Sequence, residues 1–345
     1  MSIIEDKLFA FTRALVDVDS TTGQEGAVAA LAAEFLRHAG VFDEVALWPV
    51  EPGRDNVFAR RGTPRVVLST HLDTVPPFFP SREDDTALYG RGVCDAKGIA
   101  AAMSFAALTL AEEGVSDFGL LFLVGEERNS AGAIAANVRA PEGVACLING
   151  EPTESKLIRA GKGVLRVALR AHGRAAHSAY PELGDSAIDK LLRALQRVRA
   201  LKLPHDDVLG ATTLNIGTIR GGRAPNVIAD EAEAELMFRL VGDGTPLRAE
   251  VEAALEAEVE HEFVLEIPPV QLLTLEGWET GTGVVAFGTD IPQLTRWGTP
   301  LLFGPGSIHV AHTPAEFIAK KELSSAVGRY AGLVRSLKAR ESIFC

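Results

Sequence analysis

KGIAAAMSFAALTLAEEGVSDFGLLFLVGEE, residues 97–127, sets the architecture of this chain. Its first part, 97–114, is Ala-rich, apolar on most faces and closed by Gly114, which predicts a buried helix. The second part, 118–127, is an apolar run that ends in Gly125 and two glutamates, as a buried strand does when it reaches a sheet edge. Working outward, RVVLST (65–70) is a similar run that stops just before His71, and GVACLINGEP (143–152) is another that ends at Glu151. Strand, helix, strand, strand, each with a near-continuous apolar run, predicts an α/β core: a mixed, largely parallel sheet flanked by helices. Upstream, 3–16 and 24–39 carry apolar residues at helical spacing. Thr22, with Glu25 three residues on, reads as the capping box of the second helix.

The periodicity changes near residue 163. GVLRVALRAHGRA (163–175), TTLNIGTIRGG (212–222) and EAEAELMFRL (231–240) alternate apolar and polar residues, as half-exposed strands do. Helical patterns occupy 185–201 and 248–259, and EFVLEI (262–267) closes the set. The order β-α-β-β-α-β is that of a ferredoxin-like α+β domain. After Pro268–Pro269 the first style returns and ends in a helix over 320–338. The expected organisation is therefore one domain from 1–162 and 270–345, with a second, 163–269, inserted into it.

The bulk composition excludes several classes of function. At 345 residues the chain is too long for one typical domain core. A net charge of −12 argues against nucleic acid, whose phosphates need a basic face. Most of that charge reads as a solvated surface, with site carboxylates supplying the rest. No apolar run reaches the roughly 20 residues that span a bilayer, so no membrane partner is expected. The opening MSIIEDKLFAFTRAL mixes acids with its apolar residues and does not read as a signal peptide. Cys94, Cys146 and Cys345 are sparse and odd in number, which fits a reducing compartment, the cytoplasm, rather than a disulfide framework. None sits in a CxxC pair, so a zinc–thiolate site is not expected.

The chemistry-bearing residues lie at the ends of the apolar runs. His71 closes a strand, and Asp73, two residues on, is placed to hold its far ring nitrogen. Asp95 sits among glycines in GRGVCDAKG, where the backbone can fold tightly around a ligand; the alternative is an N-cap on the helix that follows. Glu126 and Glu127 repel one another and need a cation or a proton if buried; on the surface they would be an ordinary acidic turn. A natural division puts Glu127 on a metal and leaves Glu126 as general base. Glu151 ends the next strand. His312, with His309 as its rival, lies in the Gly/Pro-rich loop GPGSIHVAHTPAE. Two imidazoles and three carboxylates suit zinc or a similar borderline metal.

STHLDTVP, GRGVCDAKG, GEE, NGEPT, GRAAHSAYP and GPGSIHVAHTPAE, in this order between residues 69 and 316, resemble the M20 metallopeptidases, a family of dinuclear zinc aminoacylases and carboxypeptidases. NGEPTESKLIRAGKG, GPGSIHVAHTPAEF and GTDIP (288–292) are most similar to the acetylornithine deacetylase branch. The resemblance implies a zinc-peptidase-like catalytic domain with an inserted lid and dimerisation domain. It implies two zinc ions, with cobalt or manganese as substitutes. His71, Asp95 and Glu151 would hold one; Asp95, Glu127 and His312 the other. Glu126 would move the proton, Asp73 orient His71, and His177 polarise the substrate carbonyl, commonly from the partner subunit of a homodimer. Asn226 and Arg239 would contact the substrate's carboxylate side, although as bare residues they read equally as a turn asparagine and a strand cation. The Asp95–Ala96 peptide would be cis. The implied substrate is a small N-acyl amino acid, first N-acetylornithine. N-succinyl-diaminopimelate, acetylcitrulline, acetyl-lysine and short peptides are the enzymatic rivals. A catalytically silent metal or amino-acid binding protein is the rival from another class. Arg128–Asn129 after GEE and a compressed stretch over 271–300 depart from the family pattern and bear on substrate choice.

Overall fold

The computed structural model describes residues 3–340, so Cys345 lies outside the described residues. The chain divides into two compact units, Met1–Arg159 with Leu272–Gly283 and Thr289–Cys345, and Ala160–Gln271 with Val284–Gly288.

The first unit is built on a mixed sheet. Its strand order runs Glu44–Glu51, Arg54–Arg61, Phe118–Leu123, Val66–His71, Cys146–Asn149, Thr299–Leu302. The last four are parallel to one another, and the first two form an antiparallel hairpin along one side. Both faces of the central strands are covered. Leu120 and Phe122 belong to one buried cluster, while Leu121 and Leu123 belong to the cluster on the opposite face with Trp297. Alternate side chains point to opposite faces, which is why these strands read as continuous apolar runs. The helix Lys97–Glu112 packs against Ile3–Val16 and Lys320–Lys338. Gly114, at φ +77°, supplies the left-handed turn that ends it.

Two features depart from expectation. The hairpin Glu44–Glu51/Arg54–Arg61 carries no clear sequence signal, because Pro49, Pro52 and Gly53 punctuate it as a loop would be punctuated. The second helix starts at Gly26, and no side chain caps it. The Thr22–Glu25 pair has other partners, given below.

In the second unit the strands Thr213–Gly221, Glu231–Leu240, Gly163–His172 and Glu260–Ile267 lie side by side in that order, all antiparallel. The helices Ala187–Arg199 and Thr245–Leu255 complete the β-α-β-β-α-β sequence. Ala232, Ala234, Leu236 and Phe238 of the alternating strand are buried with Leu191, Leu195 and Val251 of the helices. Ser186 caps the first helix by accepting a bond from the Asp189 N–H at 3.2 Å. Among the described residues no helix is long and apolar enough to cross a membrane.

Gly98 shows how closely the buried helix is seated. A Cβ there would stand 2.2 Å from the Val93 carbonyl oxygen. In an exposed helix, Gly→Ala stabilises by about 1 kcal/mol. Here the backbone must move, at a cost of about 1–3 kcal/mol for overpacking. Gly98→Ala is therefore expected to lower the melting temperature by several degrees, which a thermal melt checks.

Candidate metal centre

The parallel strands bring the site together by register. His71 stands opposite Leu123, and Ser69 opposite Asn149. Two residues past Asn149, Glu151 reaches the level of His71. Three and four past Leu123, Glu126 and Glu127 emerge from the same sheet edge. Open α/β sheets place their ligands at this carboxyl end. Asp95 joins from the turn before the buried helix, and the Asp95–Ala96 peptide is cis. It does not cap that helix, whose N-cap is Ala96 without a side-chain bond.

Asp95 lies between the two imidazoles. Its Oδ1 is 3.0 Å from His71 Nε2, and its Oδ2 is 3.4 Å from His312 Nε2. His312 Nε2 is also 2.9 Å from Glu127 Oε1, and His71 Nε2 is 3.9 Å from Glu151 Oε2. One ligand atom each from His71, Asp95 and Glu127 lie within 4.8 Å of one another. His312 holds a left-handed backbone, φ +63°, a conformation sparsely used by non-glycine residues. His309 is exposed, and its backbone N–H bonds to Ser307.

The electrostatics are those of a site short of positive charge. Burial pushes the Glu126 carboxyl well above its ordinary pKa, and the charge of Glu151 adds to the effect. Burial does the same to Glu151, whose Oε1 is buried without a hydrogen-bond partner. Burial would raise Asp95 too, but bonds from His312 and His71 outweigh it and hold the carboxyl below its usual range. His312 is pushed up to about 10 by Asp95 and Glu127. Burial would depress His71, yet the Asp73 and Asp95 carboxylates outweigh it and hold the imidazole above its usual range. Carboxylates this crowded need a cation or protons. The donor set of imidazole and carboxylate suits a divalent borderline metal, and the unpartnered Glu151 Oε1 is a free donor for one.

Asp73 holds more than the histidine. The far ring nitrogen, His71 Nδ1, meets the Asp73 backbone oxygen at 3.0 Å, and the carboxylate only at 3.5 Å. The carboxylate is taken instead by the N–H groups of Glu126 (3.0 Å) and Glu127 (3.2 Å) and by Thr22 Oγ1 (2.8 Å). So Asp73 ties the Glu126–Glu127 backbone to the strand end that carries His71.

Two neighbours escaped the sequence reading. Glu316 is buried, accepts from Cys94 N (3.1 Å) and Asp95 N (3.2 Å), and pairs with buried Arg91 at 2.6 Å. It fixes the backbone under Asp95. Asp290 is 1% exposed, with Oδ1 unpartnered, and burial pushes its carboxyl up to about 7. Its place in GTDIP, beside apolar residues, was the available signal.

His177, Asn226 and Arg239 all lie in the second unit. His177 and Asn226 are neighbours there: His177 bridges to Val227, and Ser178 N donates to Asn226 O at 3.0 Å. Both side chains belong to exposed residues, whereas Arg239 is half-buried. Lys97 is fully buried and donates to Val18 O at 2.7 Å.

Known proteins resemble this chain along nearly its whole length. A model of the peptidase dimerisation domain of M20 proteins matches residues 159–264. A peptidase M20 domain-containing protein of Schizosaccharomyces pombe is 40% identical over 95% of this chain and 84% of its own length. A probable carboxypeptidase of Aspergillus clavatus is 38% identical over 95% of this chain and 82% of its own. Among solved structures, a tripeptidase from Staphylococcus aureus superposes with a TM-score of 0.82 at 21% identity, covering 97% of this chain and 99% of that one, which is a likeness of fold. With identity of that level along nearly its whole length, the chain belongs to the M20 family of metallopeptidases.

Proposed function

We propose that this protein hydrolyses the amide bond of a small N-acylated amino acid or short peptide, using two divalent metal ions held by His71, Asp95 and Glu151 and by Asp95, Glu127 and His312. The observation that carries this reading is Asp95, each of whose carboxylate oxygens faces a different imidazole, at 3.0 and 3.4 Å. A bridging carboxylate needs that disposition. When bound, such metals supply Lewis acidity toward the scissile carbonyl and lower the pKa of a water nearby. Zinc suits the donors, and cobalt and manganese are compatible.

The protein's own groups do the rest. Glu126 accepts a proton from the attacking water and returns it to the departing amine nitrogen. As the water oxygen bonds to the acyl carbon, the C–N bond breaks, leaving a free amine and a carboxylic acid. Cations among these carboxylates would bring the raised Glu126 pKa down, so that it is ionised when it is needed. Asp73 keeps Glu126 and Glu127 in register with His71. To His177, which in this family commonly comes from the partner subunit, we assign donation to the developing oxyanion, and to Asn226 and Arg239 contact with the substrate carboxylate. These belong to the second unit, which we assign, over 163–269, as a lid and as the surface of a homodimer. The family match to a dimerisation domain over 159–264 supports that assignment.

N-acetylornithine remains the first substrate to test, on the motif likeness in NGEPTESKLIRAGKG. A second reading, cleavage of a C-terminal residue from a short peptide, is favoured by the naming of the Aspergillus clavatus relative as a probable carboxypeptidase. A panel of N-acetyl and N-succinyl amino acids beside dipeptides and tripeptides, read by released amine, separates them. The expected result is turnover confined to substrates with a free carboxylate. Turnover of none, by protein shown to contain metal, would remove the proposed function.

A further inference from the structure

The residues Ser20 to Glu25, read from sequence as a helix cap, form a strap across the back of the site. Lys97 Nζ fixes its beginning through Val18 O at 2.7 Å. Ser20 Oγ donates to Leu72 O at 2.7 Å, Thr74 N to Ser20 O at 3.1 Å, and Thr22 N to Thr74 O at 3.1 Å. The strap thus pairs with the chain on both sides of Asp73. At its far end Glu25 is fully buried and holds Arg54 through two bonds, Nε–Oε2 at 2.7 Å and Nη2–Oε1 at 2.6 Å. Arg54 underlies the Glu126–Glu127 turn: a Cβ on Gly125 would lie 2.9 Å from Arg54 Nη2. The strap is therefore anchored at both ends, by a buried lysine and a buried ion pair.

From the middle of this strap, Thr22 Oγ1 donates to Asp73 Oδ2 at 2.8 Å. The same oxygen accepts the Glu127 N–H at 3.2 Å, and its twin accepts Glu126 N–H at 3.0 Å. With three donors on it, the carboxylate has one orientation. Without the hydroxyl, the Asp73 carboxylate loses its tie to the strap and keeps two donors from the very turn it is meant to hold, with His71 Nδ1 beside it at the longer distance of 3.5 Å.

We infer that Thr22 is a positioning residue of the metal centre: by fixing Asp73 from the strap side it sets where Glu127 and His71 present their ligand atoms. This rests on the reading of His71 and Glu127 as ligands. It goes beyond it in giving the N-terminal strap a part in metal affinity. Groups that hold ligands in place typically contribute 10- to 100-fold in metal affinity or activity.

The test uses zinc ions alone, titrated into chelator-stripped full-length protein against a fluorescent chelator, so it needs no substrate. Thr22→Val keeps the shape and removes the donor; it is expected to weaken zinc binding about tenfold. Thr22→Ser restores the hydroxyl and is expected to restore wild-type affinity. Melting of the metal-free proteins separates positioning from folding, since all three should unfold together. Should Thr22→Val fold poorly, Thr22→Ala replaces it in the same comparison. Equal zinc affinity in the wild type and the variant without the hydroxyl overturns the inference. So does a serine variant as weak as the valine one, because the hydroxyl is then not the cause. A protein that shows the expected affinities but cleaves no amide refutes the proposed reaction and leaves the role of Thr22 standing.

Discussion

Glu126→Gln is expected to remove nearly all turnover while leaving metal content and folding intact. The glutamine amide fills the same space but cannot take a proton from water. A positioned general base is worth roughly 10²- to 10⁴-fold, and the loss in kcat should fall in that range. The substitution spares the scaffold because residue 126 is tied to Asp73 through its backbone N–H, at 3.0 Å, and not through its side chain. It also removes a source of repulsion. Burial and the charge of Glu151 already hold the Glu126 carboxyl well above its ordinary pKa, so ionising it in the metal-free protein is costly. The variant should therefore melt no earlier than the wild type when both are stripped of metal. Three measurements decide the matter: amine release, metal per chain by atomic absorption, and a thermal melt. Undiminished kcat would mean that the base lies elsewhere. Lost metal would mean that Glu126 is a ligand and that Glu127 must be reconsidered as the base.

The division between what could be read from sequence and what could not follows the range of the interactions. His71, Glu126, Glu127 and Glu151 are legible because each follows an apolar run, and in a parallel sheet runs of this kind end along one edge. Their convergence with Asp95 and His312 is a geometric fact of the structure. The capping-box reading of Thr22 and Glu25 fails for a physical reason. Spacing of three residues measures only local opportunity, and here both side chains found better partners far along the chain, Asp73 for one and Arg54 for the other. Asp73 is similar. Its proximity to His71 was readable, but its carboxylate is engaged by the N–H groups of residues 126 and 127, more than fifty positions away. Glu316 and Asp290 were unreadable because their importance lies in what buries them. The apolar neighbours of Asp290 in GTDIP are a weak local hint, and Glu316, between Ala315 and Phe317 in a Pro-containing loop, has less. The hairpin over 44–61 was hidden by its own prolines, since Pro49 is tolerated on an edge strand but reads as a break.

Removing metal is expected to destabilise the wild type by several kcal/mol, and Asp95→Ala should abolish that dependence. The wild type packs Asp73, Asp95, Glu151 and Asp290 into buried positions with His71, and Glu126 and Glu127 at their rim. Without cations, some of these carboxyls must bind protons or repel. A ligand present at a thousand times its Kd, and bound only by the folded state, stabilises by about 4 kcal/mol. For units of this size that corresponds to roughly 10 °C in melting temperature. Chelation of the wild type should produce a fall of that order. Asp95 faces both imidazoles, so its loss should affect both metals, and metal content should drop from about two per chain toward none. His312→Ala removes a partner of Glu127 and Asp95 only, and should cost one metal and retain the other at the His71 end. The comparison is sharper than either variant alone. If Asp95 bridges, its alanine variant binds less metal than the His312→Ala variant and melts at the same temperature with or without chelator. If Asp95 serves one metal only, the two variants match in stoichiometry, and the two-metal arrangement around this carboxylate is wrong.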